Sequence, residues 1–219
     1  SAEDHDWAAA EGAPLPRGWR CTPLARLITL MDAGWSPACP GHPTGSDEEW
    51  GVLKTTAIQA NSFEPQYHKA LPPQLTPRPD CGVMVGDVLI TRAGPWFRVG
   101  VSCYVSECRP RLMLSDKIIR CRLTQGLLDG RWIALCINHG RASGFLRSKQ
   151  TGMDAAQVNI SQGRLASAPI EIPPLAEQRR IVARVDELMT LLDRLSRSLS
   201  NQSGLAEAFA AAAVHHLDA

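Results

Sequence analysis

The stretch Pro169-Ile-Glu-Ile-Pro-Pro-Leu-Ala-Glu-Gln-Arg-Arg-Ile-Val-Ala-Arg-Val-Asp-Glu-Leu-Met-Thr-Leu-Leu-Asp-Arg-Leu-Ser-Arg-Ser-Leu-Ser200 divides the chain into two kinds of structure. Pro169 to Ile172 alternates like a strand and stops on two prolines, which hold the preceding backbone extended. Beyond them Ile181, Val185, Leu188, Leu192, Leu195 and Leu199 recur at spacings of 4, 3, 4, 3 and 4, a heptad stripe. Pro174 suits a first helical turn, and Glu177 there opposes the helix dipole. Glu177 to Ser200 predicts about 36 Å of helix at 1.5 Å per residue. Asn201-Gln-Ser-Gly204 is expected to kink or break it, and Leu205 to Leu217 resumes as an Ala-rich helix with Phe209 on the same stripe. A stripe this long and narrow suits a partner helix better than packing on its own domain.

Upstream the period is shorter and proline-punctuated. Residues 1–14 are acidic, with no apolar periodicity, and read as a leader or linker. Leu24, Leu27, Ile28 and Met31 predict a short helix over residues 23–33. Residues 36–49 are turn-formers throughout and predict a loop. Short β segments follow: Val52–Lys54, Val83–Val85, Val88–Thr91, Val99–Val105, Lys117–Leu123 and Trp132–Ile137. The fold class is therefore α+β, a mixed sheet domain over residues 15–172 followed by a helical region over 173–219.

Net charge is only +1, but it is unevenly placed. Residues 1–50 carry three basic and eight acidic side chains, residues 51–165 fifteen and seven, and residues 166–219 five and seven. A basic folded segment between acidic ends suits a phosphate-binding surface. The seven cysteines show no C-x-x-C spacing and predict buried hydrophobes on strands of a cytoplasmic protein rather than a disulfide framework or zinc site. No stretch of 18 apolar residues and no basic–apolar leader occurs, which predicts neither a membrane span nor a secretory signal.

Catalytic machinery is not signalled. The Pro-Pro pairs do not form an adenine-methyltransferase motif, and Pro79-Asp80 is not followed by a nuclease-like acid–x–Lys. Ser102 and Ser161 lack a His and acid context, and no phosphate loop occurs. Only His215 and His216 lie close together among six histidines, which is not ligand spacing. The expectation is a binding protein with no catalytic residue, metal or cofactor.

Several segments together resemble the specificity subunits of type I restriction–modification systems. The strongest is Ile172-Pro-Pro-Leu-Ala-Glu-Gln-Arg-Arg-Ile-Val-Ala-Arg-Val-Asp-Glu-Leu188. Leu15-Pro-Arg-Gly-Trp19, Gly86-Asp-Val-Leu-Ile-Thr-Arg-Ala-Gly94, Thr151-Gly and Gln157-Val-Asn-Ile-Ser161 match in order and spacing over roughly residues 14 to 200. The resemblance implies a non-catalytic subunit that reads split sequences in double-stranded DNA through two recognition domains held apart by antiparallel helices. It also implies docking of adenine-methyltransferase subunits, with a restriction subunit in the full complex. Only one recognition domain is present here, so the second half lies either in the same longer chain or in a homodimeric partner. The alternative is a scaffold that binds only protein, through the heptad helix.

Base readout needs donors and acceptors on rigid supports. Three segments of the basic region offer them: Lys54, Thr55, Thr56, Gln59 and Asn61; Thr91, Arg92 and Arg98; and Arg141, Ser143, Arg147 and Lys149 in a Gly-flanked loop. Gln157 and Asn159 serve equally well as turn caps. Trp96-Phe97 is expected to pack in the core, with insertion into DNA as the alternative. The six stripe residues from Ile181 to Leu199 are the expected helix-pairing positions.

Overall fold

A computed structural model describes residues 14–148, 151–154 and 157–217. The chain divides into two units, residues 1–178 and residues 179–219. Most of the expected leader, and Lys149, lie outside the described residues.

The first unit is built of short strands: β1 (Arg20–Pro23), β2 (Ile28–Ala33), β3 (Gly51–Leu53), β4 (Ile58–Gln59), β5 (Ser62–Phe63), β6 (His68–Ala70) and β7 (Val88–Thr91). After them come β8 (Ala93–Gly94), β9 (Ser102–Tyr104), β10 (Leu112–Met113), β11 (Ile118–Leu123), β12 (Thr151–Asp154), β13 (Gln157–Asn159) and β14 (Pro169–Ile172). The helices are α1 (Gly130–His139), α2 (Arg141–Ser148), α3 (Gln162–Ala166) and α4 (Leu175–Leu217).

The central sheet runs β2-β11-β7-β9, antiparallel throughout. A second sheet, β10-β3-β6, mixes one parallel and one antiparallel pairing. Between the sheets lies a core of Leu53, Ile58, Leu89, Val105, Leu112, Leu114 and Ile118. Burial of such side chains is worth roughly 1.5–3 kcal/mol each. The antiparallel pair β1 and β14 brings the start and end of the domain together, Cys21 opposite Glu171.

Three sequence expectations change here. Residues 23–33 form a 3-10 turn over Leu24–Arg26 and then strand β2, not a helix. Strand pairing wins because Asp32 lies opposite the buried Arg120, which donates to both carboxylate oxygens at 2.8 and 2.5 Å. Trp132–Ile137 is helix α1, not a strand. Asp129 caps it, accepting from Arg131 N and Trp132 N, and Trp132, Ile133, Cys136 and Ile137 form its buried face. Gly130 lets this helix start against the Tyr104 ring, where a Cβ would come within 2.3 Å. Val83–Val85 is not a strand: it runs into a turn over Met84–Asp87, with Met84 N donating to Asp87 Oδ2 at 2.9 Å.

Residues 36–49 are a loop, as expected, but a tethered one. Arg109 donates to the Asp47 and Glu49 carbonyls and to Thr44 Oγ1, and Arg111 pairs with Glu48. Buried His68 donates through Nδ1 to the Pro65 carbonyl and accepts at Nε2 from Thr44 N, at 2.8 and 3.1 Å.

Helix α4 starts at the end of the first unit and continues without interruption from Leu175 to Leu217, through Asn201–Gly204, so the expected break is absent. Ile181 and Val185 are partly buried, and Leu188, Leu192, Leu195 and Leu199 are 44–57% exposed. Leu191 and Met189 are exposed beside them, which widens the apolar face beyond the heptad stripe.

Candidate nucleic-acid interface

The hairpin β4–β5 turns at Ala60-Asn61, and Asn61 takes the turn with a positive φ of 63°. That geometry aims its backbone N at Ser102 O on β9, 3.0 Å away. From α1, Asn138 Nδ2 donates to both Asn61 Oδ1 and Ser102 O at 2.8 Å, while its Oδ1 accepts from Ser102 N at 2.9 Å. Ser102 Oγ donates to the Ala134 carbonyl at 2.8 Å. One amide thus locks a loop, a strand and a helix end together.

Arg98 makes the second lock. Its guanidinium donates to the Thr55 and Ile58 carbonyls and to Gln59 Oε1 at 2.7, 2.6 and 3.0 Å. Burial pushes its pKa down from the usual arginine value. Gln59 Nε2 closes back on Thr56 O at 2.7 Å. The loop carrying Arg98 runs from β8 to β9 and shares a cleft of about 200 Å³ with Ile137, Asn138, Ser143, Leu146 and Arg147.

The structure therefore brings parts of all three candidate segments to one surface. Thr56, Asn61 and Arg147 are exposed there, and Lys54, Thr55, Gln59 and Ser143 are partly exposed. Arg92 is partly exposed at the end of β7. Thr91 is fully buried and cannot reach a ligand, because β7 is covered on both faces and all four of its residues, Val88 to Thr91, are buried. Arg98 is committed to its three acceptors. Arg141 pairs with Glu171 on β14 at 2.9 Å and fastens α2 there. Residues 141–148 are helix α2, not a loop.

Trp96 and Phe97 are exposed rather than in the core. Asn138 and the role of Ser102 were not legible in sequence. The signal that could have found Asn138 is the Asp129-Gly130 cap, since only a helix from there places it beside β9.

The charge reading needs refinement. Among the described residues, Lys54, Arg98, Arg109, Arg111, Arg120, Arg122 and Arg141, at least seven of the fifteen basic residues of 51–165, hold carbonyls or carboxylates of the fold itself. Arg78 lies 4.1 Å from the Trp35 ring centre, a cation–π contact. Much of the basic excess is thus structural. None of the helices searched among the described residues is long and apolar enough to cross a membrane.

Residues 134–202 match the family described as type I restriction modification DNA specificity domain. Over 205 residues the chain is 43% identical to the EcoEI type I restriction enzyme specificity subunit of Escherichia coli, covering 92% of this chain and 34% of that one. It is 31% identical over 137 residues to the EcoKI specificity subunit of Escherichia coli strain K12, covering 57% of this chain and 29% of that one. The chain thus spans about a third of the length of these curated relatives. Among solved structures, the S subunit (HsdS) of Thermoanaerobacter tengcongensis aligns with a TM-score of 0.57 at 22% identity, over 85% of this chain and 41% of that one. A chain of a type I restriction–modification assembly aligns with a TM-score of 0.62 at 20% identity, over 87% of this chain and 43% of that one.

Proposed function

The chain belongs to the family of type I restriction–modification specificity subunits, and from that membership we propose that it reads one half of a split sequence in duplex DNA. In this reading it contributes recognition and no chemistry. Adenine methylation belongs to methyltransferase subunits that it positions, and cleavage to a restriction subunit of the larger complex. A second recognition half, in the same longer chain or in a second copy, reads the other half-site through pairing along α4.

The observation that supports the DNA-reading surface is the meeting of three polar segments, the β4–β5 hairpin and the loop of Arg98 held together by Asn138 and Arg98, with Ser143 and Arg147 of α2 lining the shared cleft. Base readout needs side chains whose own geometry is fixed, because a bidentate contact tolerates little displacement. Backbone and exposed cations then position the duplex, and side chains such as Asn61, Thr56 and Arg147 meet base edges.

The test is mapping of methylated adenine in a methylation-free host that expresses this chain with its cognate methyltransferase subunit. A palindromic interrupted motif is expected if the chain works as a homodimeric half-subunit. A bipartite, asymmetric motif that appears only when the missing half is supplied is expected if it is part of a longer subunit. No motif in either case, with the two proteins co-purifying, overturns the reading and leaves α4 as a protein-docking element.

A further inference from the structure

Trp96 and Phe97 stand side by side in the β8–β9 loop, ring centroids 6.1 Å apart and nearly perpendicular. They are 55% and 62% exposed. Aromatic residues make up only 5% of the chain, so an exposed adjacent pair is a local concentration that core packing does not account for. A contiguous exposed apolar patch on a folded domain marks a contact surface.

The turn that carries them is also braced. Arg98 N donates to Pro95 O, and Gly100 N to Thr91 O, each at 2.8 Å. The Arg98 guanidinium pins the same turn to the β4–β5 hairpin through its three acceptors. The rings are thus carried on a turn that the fold itself braces, and a braced support lowers the entropic cost of contact. The cleft behind them is walled by Val101, Ile137 and Leu146, with Ser143 and the exposed Arg147 at its polar side.

Aromatic rings beside a cation are the composition that stacks on nucleobases. In a paired duplex the base faces are covered by their neighbours, so a pair of this kind reaches them only by opening a base step, as apolar wedges do. We propose that Trp96 and Phe97 form a wedge that opens one base step of the bound duplex, beside the sequence read by the Asn138- and Arg98-locked surface. This rests on the DNA-reading function proposed above. It adds a contribution from the deformability of a step that no side chain reads by hydrogen bonding.

The experiment uses the full chain assembled with its methyltransferase subunit and duplexes carrying the mapped target. The duplexes are either fully paired or carry a single abasic site moved through the target and its flanks. An abasic site removes the cost of opening that step. The wild-type assembly is expected to bind roughly tenfold tighter at one abasic position and to show no gain elsewhere. Trp96→Ala with Phe97→Ala loses that preference and still assembles with the methyltransferase subunit. Phe97→Leu, which keeps apolar bulk, retains it. 2-Aminopurine placed at the same step brightens with the wild type and not with the double alanine variant.

Wild-type binding with a flat abasic scan overturns the wedge and leaves the DNA-reading function standing. So does an abasic preference that the double variant keeps. Loss of methyltransferase assembly in the double variant assigns the pair to a protein contact and also overturns the wedge. Failure of the wild type to bind any duplex overturns both.

Discussion

Gln178 is fully buried, and its amide serves three backbone groups. Oε1 accepts from Asp129 N at 2.9 Å, and Nε2 donates to the Pro173 and Leu127 carbonyls at 2.9 and 3.3 Å. It sits in the Pro-Pro-Leu-x-Glu-Gln segment and ties the first turn of α4 to the residue that caps α1. Gln178→Ala strands these groups in an apolar setting and is expected to cost about 3 kcal/mol, read as a lower denaturant midpoint with an unchanged slope. Gln178→Glu adds a buried charge and is expected to cost more.

His68 makes a prediction of a different kind. Burial first, and then the nearby Arg109 charge, push its pKa below the usual value, against the opposing bond to the Pro65 carbonyl. The neutral ring donates at Nδ1 and accepts at Nε2, so a second proton would displace the Thr44 contact. A folded pKa below 6.5 means that the unfolded chain binds the proton more readily. Its contribution is fully present above about pH 6.5 and is lost as pH falls from there towards the folded value. Denaturation midpoints are expected to fall on going from pH 7.5 to 5.5, and to fall less in His68→Gln.

Among the elements, α4 was the most legible and α1 the least. The stripe from Ile181 to Leu199 keeps one period over five intervals, which no strand reproduces. Trp132–Ile137 is a six-residue apolar run in which neither period can be distinguished, and only the cap at Asp129 decides. Leu24 to Met31 fits helical spacing by accident. What overrides it is Arg120, 88 residues away in sequence, whose partner Asp32 is supplied only by strand β2. The same distance effect hid the state of the site: Arg98 looked available because its acceptors lie 39 to 43 residues upstream. Residue type and local spacing could nominate the polar segments, but not show which side chains the fold would consume.

The exposed stripe of α4 belongs to this scale too. Leu188→Asp with Leu195→Asp places two charges where an apolar partner is expected. Sedimentation of the purified chain, and its co-purification with the methyltransferase subunit, should show loss of helix pairing. The far-ultraviolet signal and unfolding of the recognition domain should stay unchanged. An unaltered oligomeric state would argue against α4 as the pairing element.

For the molecule as a whole, DNA affinity is expected to come from fewer cations than the composition suggests, because at least seven basic residues of the segment, Lys54 and six arginines, make bonds within the fold. Arg147→Ala is expected to cost about 1–3 kcal/mol on target DNA and little on random duplex if it meets a base edge. An equal loss on both duplexes, with a shallower dependence on salt, would mark it as a phosphate contact. Titrating target and random duplex at several salt concentrations separates the two. Arg98→Ala is expected to behave otherwise, since it removes a support: specificity falls at the positions contacted by the β4–β5 hairpin, and the salt slope does not change.

The pairing of β1 with β14 carries a last consequence. The polypeptide enters and leaves its β-rich region through two neighbouring strands, Arg20 opposite Ile172 and Pro23 opposite Pro169. Everything between behaves as a cassette closed by a short zipper. A different domain with the same two closing strands could be spliced between those points without moving the flanking chain by more than one strand spacing, about 4.8 Å. On the DNA-reading function proposed above, exchange of a whole specificity at these two seams is mechanically easy, whereas gradual change must keep the Asn138 and Arg98 locks intact at every step.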